Sequence, residues 1–161
     1  MRAEIKRLHS RIKRKAWRVL ASSGLTRGSK VAVICAPTLS SVAALDVVVE
    51  IERKFSAEIE AHLVGPEDSL RAIKEVAEGL EVSYVTLYKA KVDLEAAPTI
   101  ALRARKQGLA PITPFVSEDL ACMAVMDSLK PIPLLALLDS LARAIHPLAD
   151  IKARDAATYA L

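Results

Sequence analysis

From Lys30 onward the chain alternates between short apolar segments and longer segments of helical period, and this alternation constrains its fold more than any other feature. Lys30–Cys35 reads as a strand, Leu39 to about Phe55 as an apolar-periodic helix, and Glu58–Val64 as a second strand. Glu67–Glu78 reads as an amphipathic helix with Leu70, Ile73 and Val76 on one side. Glu81–Tyr88, rich in β-branched and aromatic residues, reads as a third strand. Leu94–Gln107 follows as a helix whose start Pro98 delays, and Leu109–Thr113 as a short fourth strand. Ser117–Leu129, N-capped by Ser117, and Leu134–Arg143 read as helices. Ala144–Pro147 reads as an edge strand and Lys152–Tyr159 as a closing helix. Strand–helix–strand order implies right-handed crossovers, a mostly parallel sheet of about five strands, and helices on both faces. Ligands in such folds sit beyond the carboxyl ends of the strands, so the loops after the first and fourth strands, 36–40 and 114–117, are where chemistry is expected.

With 161 residues and 52 % of them hydrophobic, the chain has material for one core. No apolar run approaches the roughly 20 residues that span a bilayer, and the charged start lacks the apolar stretch of a secretory signal. A cytoplasmic protein without membrane contact is therefore expected. Cys35 and Cys122 both lie in apolar segments and are expected to be buried, inert thiols rather than metal ligands. The absence of Asn and the single Gln107 point to a heat-adapted source.

Charge divides the chain unevenly. Residues 1–30 carry Arg2, Lys6, Arg7, Arg11, Lys13, Arg14, Lys15, Arg18, Arg27 and Lys30 against one acid, Glu4, a net of +9; the remainder is −5. Residues 2–21 read as one helix, with Ile5, Leu8, Ile12, Ala16, Val19 and Leu20 as an apolar stripe and Arg7, Arg11, Arg14 and Arg18 roughly opposite. This gives a basic helix over residues 1–22 ahead of one α/β domain over 30–161. A basic arm on a mildly acidic body suggests a polyanionic partner, with Arg7, Arg11, Arg14, Lys15 and Arg18 as RNA-contact candidates. The plain alternative is a solvated face on a helix that docks by its apolar stripe. Trp17, between the faces, suits an anchor on the body better than a platform for a base.

Three segments resemble the PP-loop (adenine nucleotide alpha hydrolase-like, HUP) superfamily, particularly its tRNA 2-thiolation branch. Lys30–Cys35 followed by Ala36-Pro37-Thr38-Leu39-Ser40-Ser41 resembles that family's first strand and SGGxDS phosphate loop, and Val42-Ala43-Ala44-Leu45 its apolar helix start. Pro114-Phe115-Val116-Ser117-Glu118-Asp119-Leu120-Ala121 is similar to the GHxxDD-x-A element, with Glu118 and Asp119 at the acidic pair. Ile145-His146-Pro147-Leu148, then Asp155 and Tyr159-Ala160, resembles the "PL…E…YA" ending. The sequence ends just after that segment, so a form lacking the C-terminal extension of larger relatives is expected. The resemblance implies a three-layer α/β/α HUP/Rossmann-like fold with strand order 3-2-1-4-5.

The departures bear on function. A PP-loop grips pyrophosphate with backbone N–H groups on glycine-bearing backbone at a helix N-terminus. Here Pro37 has no N–H, Thr38 carries a Cβ where glycine would allow close approach, Ala36 replaces the leading serine and Ser40 the acid. Only Ser41 matches. Phe115 replaces the histidine before the acidic pair, and the CxxC cysteines of thiolation chemistry are absent. The expectation is a degenerate, non-catalytic member that assists tRNA modification by binding tRNA, an active PP-loop paralogue, or both. The alternative is an enzyme that still binds ATP and Mg²⁺ and adenylates tRNA through Ser41 and Asp119. A homodimer built on apolar helices such as Pro131–Leu138 is a further alternative. No catalytic residue and no metal ligand are assigned: His9, His62 and His146 lack ligand spacing, Glu118 and Asp119 also suit the first turn of a helix, and Met123 and Met126 suit a core.

Overall fold

The computed structural model describes residues 2–82, 84–89, 96–122 and 142–161. Four parallel strands, β1 (Lys30–Cys35), β2 (Glu58–Gly65), β3 (Tyr84–Lys89) and β4 (Ala110–Ile112), form one sheet in the order β3-β2-β1-β4. Among the described residues the helices are α1 (Arg2–Ser22), α2 (Leu39–Glu52), α3 (Glu67–Gly79), α4 (Ala96–Lys106), a helical stretch at 117–122 and a closing helix, Ala153–Ala160. The expected fifth strand at 144–147 is reduced to one parallel bridge, Ile112 to Ile145, beside β4. Backbone bonds Thr113 N–H to Ile145 O and Ile145 N–H to Pro111 O hold it there. The strand order is thus the expected one, with the fifth position occupied by a single residue.

β1 is central and buried from Val31 to Cys35, so both of its faces need cover. One face, through Val31, Val33 and Cys35, joins β2 residues Ile59, Ala61 and Leu63 in the main core with α2 and α3. The other carries Ala32 and Ile34 and is covered by α4 through Ile100, Ala101 and Ala104. α2 is buried at Ala43, Ala44, Leu45, Val47, Val48, Val49 and Ile51, on almost every side. A helix apolar all round must be covered on its outer side too. α1 supplies part of that cover with Ile12, Ala16 and Leu20, and the closing helix supplies Ala156 and Tyr159. The apolar stripe of α1 is therefore part of the main core.

Two boundaries differ from the sequence expectation for a local reason. α2 gives way to a 3₁₀ turn at Arg53–Phe55, and Ser56 (φ 57°) takes the left-handed conformation that stops it. β3 starts at Tyr84 rather than Glu81, because Glu81 (φ 55°) also turns left-handed while the Arg53 guanidinium holds the Leu80 and Glu81 carbonyls. The second half of the 117–129 helix, the 134–143 helix with the Pro131–Leu138 face, Met123 and Met126 lie outside the described residues.

Candidate functional site

The strand order reverses at β1, with β2 on one side and β4 on the other, so the loops after β1 and β4 flank the switch point. In the first loop, Thr38 N-caps α2 in an extended conformation (φ −131°, ψ 154°), and its Oγ1 accepts from Ser41 N–H at 3.2 Å. Ser41 is fully buried, and its hydroxyl accepts from Ala36 N–H at 2.9 Å. Thr38 N–H closes a tight turn over Pro37 onto Ala36 O at 2.7 Å. The Ser40 and Ser41 hydroxyls each lie 3.0 Å from Thr38 Oγ1. The N–H groups of Ala36, Thr38 and Ser41 are thus spent inside the loop, and Pro37 has none. The Pro37 ring also fills space: a Cβ placed on Gly65, at the end of β2, would stand 3.2 Å from Pro37 Cδ.

In the second loop, Thr113 is buried and its Oγ1 lies 2.5 Å from His146 Nδ1, while the Phe115 and His146 rings stack at 6.0 Å. Asp119 Oδ2 accepts from Val116 N–H at 3.1 Å. Glu118 Oε2 accepts from the Ser117 hydroxyl at 2.8 Å and from Ala153 N–H, at the start of the closing helix, at 3.0 Å. The Ser117 hydroxyl bond, then the backbone N–H bonds, hold the Glu118 carboxyl below its usual range. The acidic pair therefore ties two helix starts together.

The basic helix is partly committed to the body. Arg11 Nη2 lies 2.8 Å from Asp155 Oδ2, Lys15 Nζ donates to Asp150 O at 2.9 Å, and Lys13 pairs with Glu50. Arg11 and Lys15, both RNA-contact candidates, thus also act as struts to the C-terminal segment. Arg7, Arg14 and Arg18 form no ion pair among the described residues. Arg7, Arg11 and Arg14 line an open concavity of about 940 Å³ together with Arg154 of the closing helix. Sequence reasoning missed Arg154, because nothing local links it to a helix some 140 residues earlier. Trp17 packs on Phe55 with ring centroids 5.2 Å apart, as an anchor does.

His62 is buried, with Nε2 3.1 Å from Glu60 Oε2 and Nδ1 3.0 Å from the Tyr88 hydroxyl. Burial, with a smaller push from Glu60, raises the Tyr88 hydroxyl pKa, and Arg103 over its ring partly offsets this. This is a satisfied buried histidine. Burial pushes the Cys35 thiol to about 12, the inert state expected of it, whereas Cys122 is exposed, contrary to expectation. Its neighbours on the 117–122 helix, Glu118 to Ala121, are likewise at least partly exposed. No group of three or more metal-ligating side chains occurs among the described residues.

No family model and no curated protein matches the sequence. Solved structures do match the fold. The chain resembles a U34-tRNA thiolase, NcsA from Methanococcus maripaludis, solved with its [4Fe-4S] cluster, with a TM-score of 0.74 and 17 % identity over 94 % of this chain. It spans 62 % of that thiolase's length. It also aligns with an NAD+ synthetase from Burkholderia pseudomallei at a TM-score of 0.45 and 16 % identity, over 97 % of this chain and 74 % of that one. The fold is a three-layer α/β/α architecture with a parallel sheet, shared with that thiolase.

Proposed function

We propose that this chain is a degenerate PP-loop protein that assists tRNA modification by holding tRNA on a basic surface, alone or beside an active PP-loop partner. The observation that carries the reading is the loop at 36–41. It occupies the position of a phosphate grip, yet three of its N–H groups are bonded within it and a fourth position has none. An anion arriving there would have to break those bonds or rely on the N–H groups of Leu39 and Ser40 at the first turn of α2. The basic surface supports the RNA half. Arg7, Arg14 and Arg154, with Arg11 on its Asp155 strut, present guanidinium groups from two helices around one concavity. Guanidinium groups bind phosphate as a bidentate fork, and such binding weakens with salt. The thiolase of the same fold acts on tRNA, which favours tRNA among polyanions.

Calorimetric titration with Mg-ATP tests the loop: micromolar binding overturns the degenerate reading and favours the adenylating enzyme. Filter binding of bulk tRNA to the full chain and to the Arg7→Glu/Arg14→Glu/Arg154→Glu variant tests the surface. Removing α1 is the wrong control, since Ile12, Ala16 and Leu20 belong to the core. The expected result is loss of affinity and a shallower salt slope, by about one for each phosphate contact removed. Equal affinity of the two proteins overturns the RNA reading.

A further inference from the structure

Beside Trp17 lies a half-enclosed cavity of about 260 Å³, lined by Trp17, Leu20, Leu25, Ile51, Glu52 and Phe55, with Ala21 and Thr26 beside them. Six of the eight side chains are apolar or aromatic. Thr26 adds a hydroxyl, and Glu52 a carboxylate on a residue only 2 % exposed. Glu52 takes no side-chain hydrogen bond and no ion pair among the described residues. Among the described residues no fully buried side-chain oxygen lacks a partner, so the unpartnered Glu52 oxygens reach accessible space, which the cavity supplies. Desolvation pushes its carboxyl pKa upward.

Arg53, next in sequence, and Lys13 on α1 are committed elsewhere, and Lys54 forms no ion pair with Glu52 among the described residues. Arg53 donates to the Leu80 and Glu81 carbonyls and lies 3.7 Å from Glu81 Oε2. On α1, Lys13 pairs with Glu50. A buried carboxylate without a partner is costly, and a fold keeps one at a loss unless something else compensates the charge. The aromatic wall suits a positive compensator. The faces of Trp and Phe rings attract cations within about 6 Å of the ring centroid, and the two rings here stand 5.2 Å apart. Aliphatic Leu20, Leu25 and Ile51 would hold an apolar body rather than a hydrated metal ion. The volume lies just below the roughly 300–1,000 Å³ of pockets for drug-sized ligands, too small for a nucleotide, whose phosphates Glu52 would also repel.

We propose that this cavity is a binding site for a small organic cation, an alkylamine or quaternary ammonium compound, with Glu52 as counter-ion and Trp17 and Phe55 as the aromatic wall. The proposal is independent of the RNA reading. Trp17 is the only tryptophan in the chain, so its fluorescence reports on this cavity alone. The test titrates the full-length protein with choline, with butylamine and with the neutral carbon isostere of choline, 3,3-dimethylbutan-1-ol, at constant ionic strength. A saturable change with at least one cation, and none with the neutral isostere, is expected. Glu52→Gln should keep the circular dichroism spectrum of the parent, lose no thermal stability, and weaken the cation about tenfold or more. Trp17→Phe, followed by calorimetry, should weaken it less. Equal response to the neutral isostere, parental affinity in Glu52→Gln, or no saturable response to either cation would each overturn the proposal.

Discussion

The loop at 36–41 and the cavity at Glu52 sit at opposite ends of α2 and are opposites in kind. The loop stands where a ligand is expected, and its polar groups bond to one another. The cavity stands where the sequence gives no hint of a ligand, and its carboxylate forms no hydrogen bond or ion pair among the described residues. Hydrogen bonding already satisfied inside the protein is unavailable to a guest, whereas an unsatisfied buried charge favours one. Position in the fold says where to look for a ligand, and the state of the polar groups says what each place could offer one.

The contrast can be broken most forcefully at Ser41. Ser41→Ala removes the acceptor of the Ala36 N–H, and chemical denaturation should show a loss of about 1–3 kcal/mol. If stability is unchanged, the loop is not the closed structure described above. Gly65→Ala should cost about 1 kcal/mol through its contact with Pro37, and less in a Pro37→Ala background. An additive double-mutant cycle would show that Pro37 does not fill the loop.

At the other end of α2 the effect is smaller and opposite in sign. Because the Glu52 carboxyl is raised above its unfolded value, the folded state holds the extra proton, and stability falls as pH rises from the unfolded value through the folded one. Glu52→Gln should flatten that acid-side slope and leave the protein slightly more stable at neutral pH. An unchanged pH profile of the thermal midpoint would mean that the carboxylate is compensated after all. The smallest effect is expected at Arg11→Ala, which loses an exposed ion pair to Asp155 worth about 0.2–1 kcal/mol. Its tRNA affinity should fall less than that of Arg14→Ala, since Arg14, unlike Arg11, forms no ion pair among the described residues.

The sequence showed much of the fold and, for the candidate site, only which loops flank the switch point. β1 is correct to the residue, because a bounded apolar run between a basic turn and a proline leaves no other choice. The start of β3 was not legible, since it depends on Arg53 reaching across from α2. Pro37 and Thr38 were legible as a departure from glycine-bearing loop backbone. That the hydroxyls of Thr38, Ser40 and Ser41 close on one another is a matter of rotamers, which spacing does not reveal. Arg154 and the Glu52 cavity were invisible for the same reason in a stronger form. Each joins segments far apart in the chain, and no local pattern records such a meeting.

The struts between α1 and the far end of the chain also set an order of events. Arg11 meets Asp155, Lys15 meets the Asp150 carbonyl, and the His9 ring lies 4.4 Å from that of Tyr159, whose hydroxyl donates to Asp46. During synthesis the first helix emerges with α2 behind it, but its second neighbour is made more than a hundred residues later. Domains acquire such long-range contacts only after the entropy of closing the intervening loop has been met. A ribosome-bound fragment ending before residue 150 thus carries the positive charge of α1 without the concavity that Arg154 completes. Shaped recognition of a polyanion on this surface would be a property of the finished chain, and a nascent one would offer only unshaped attraction.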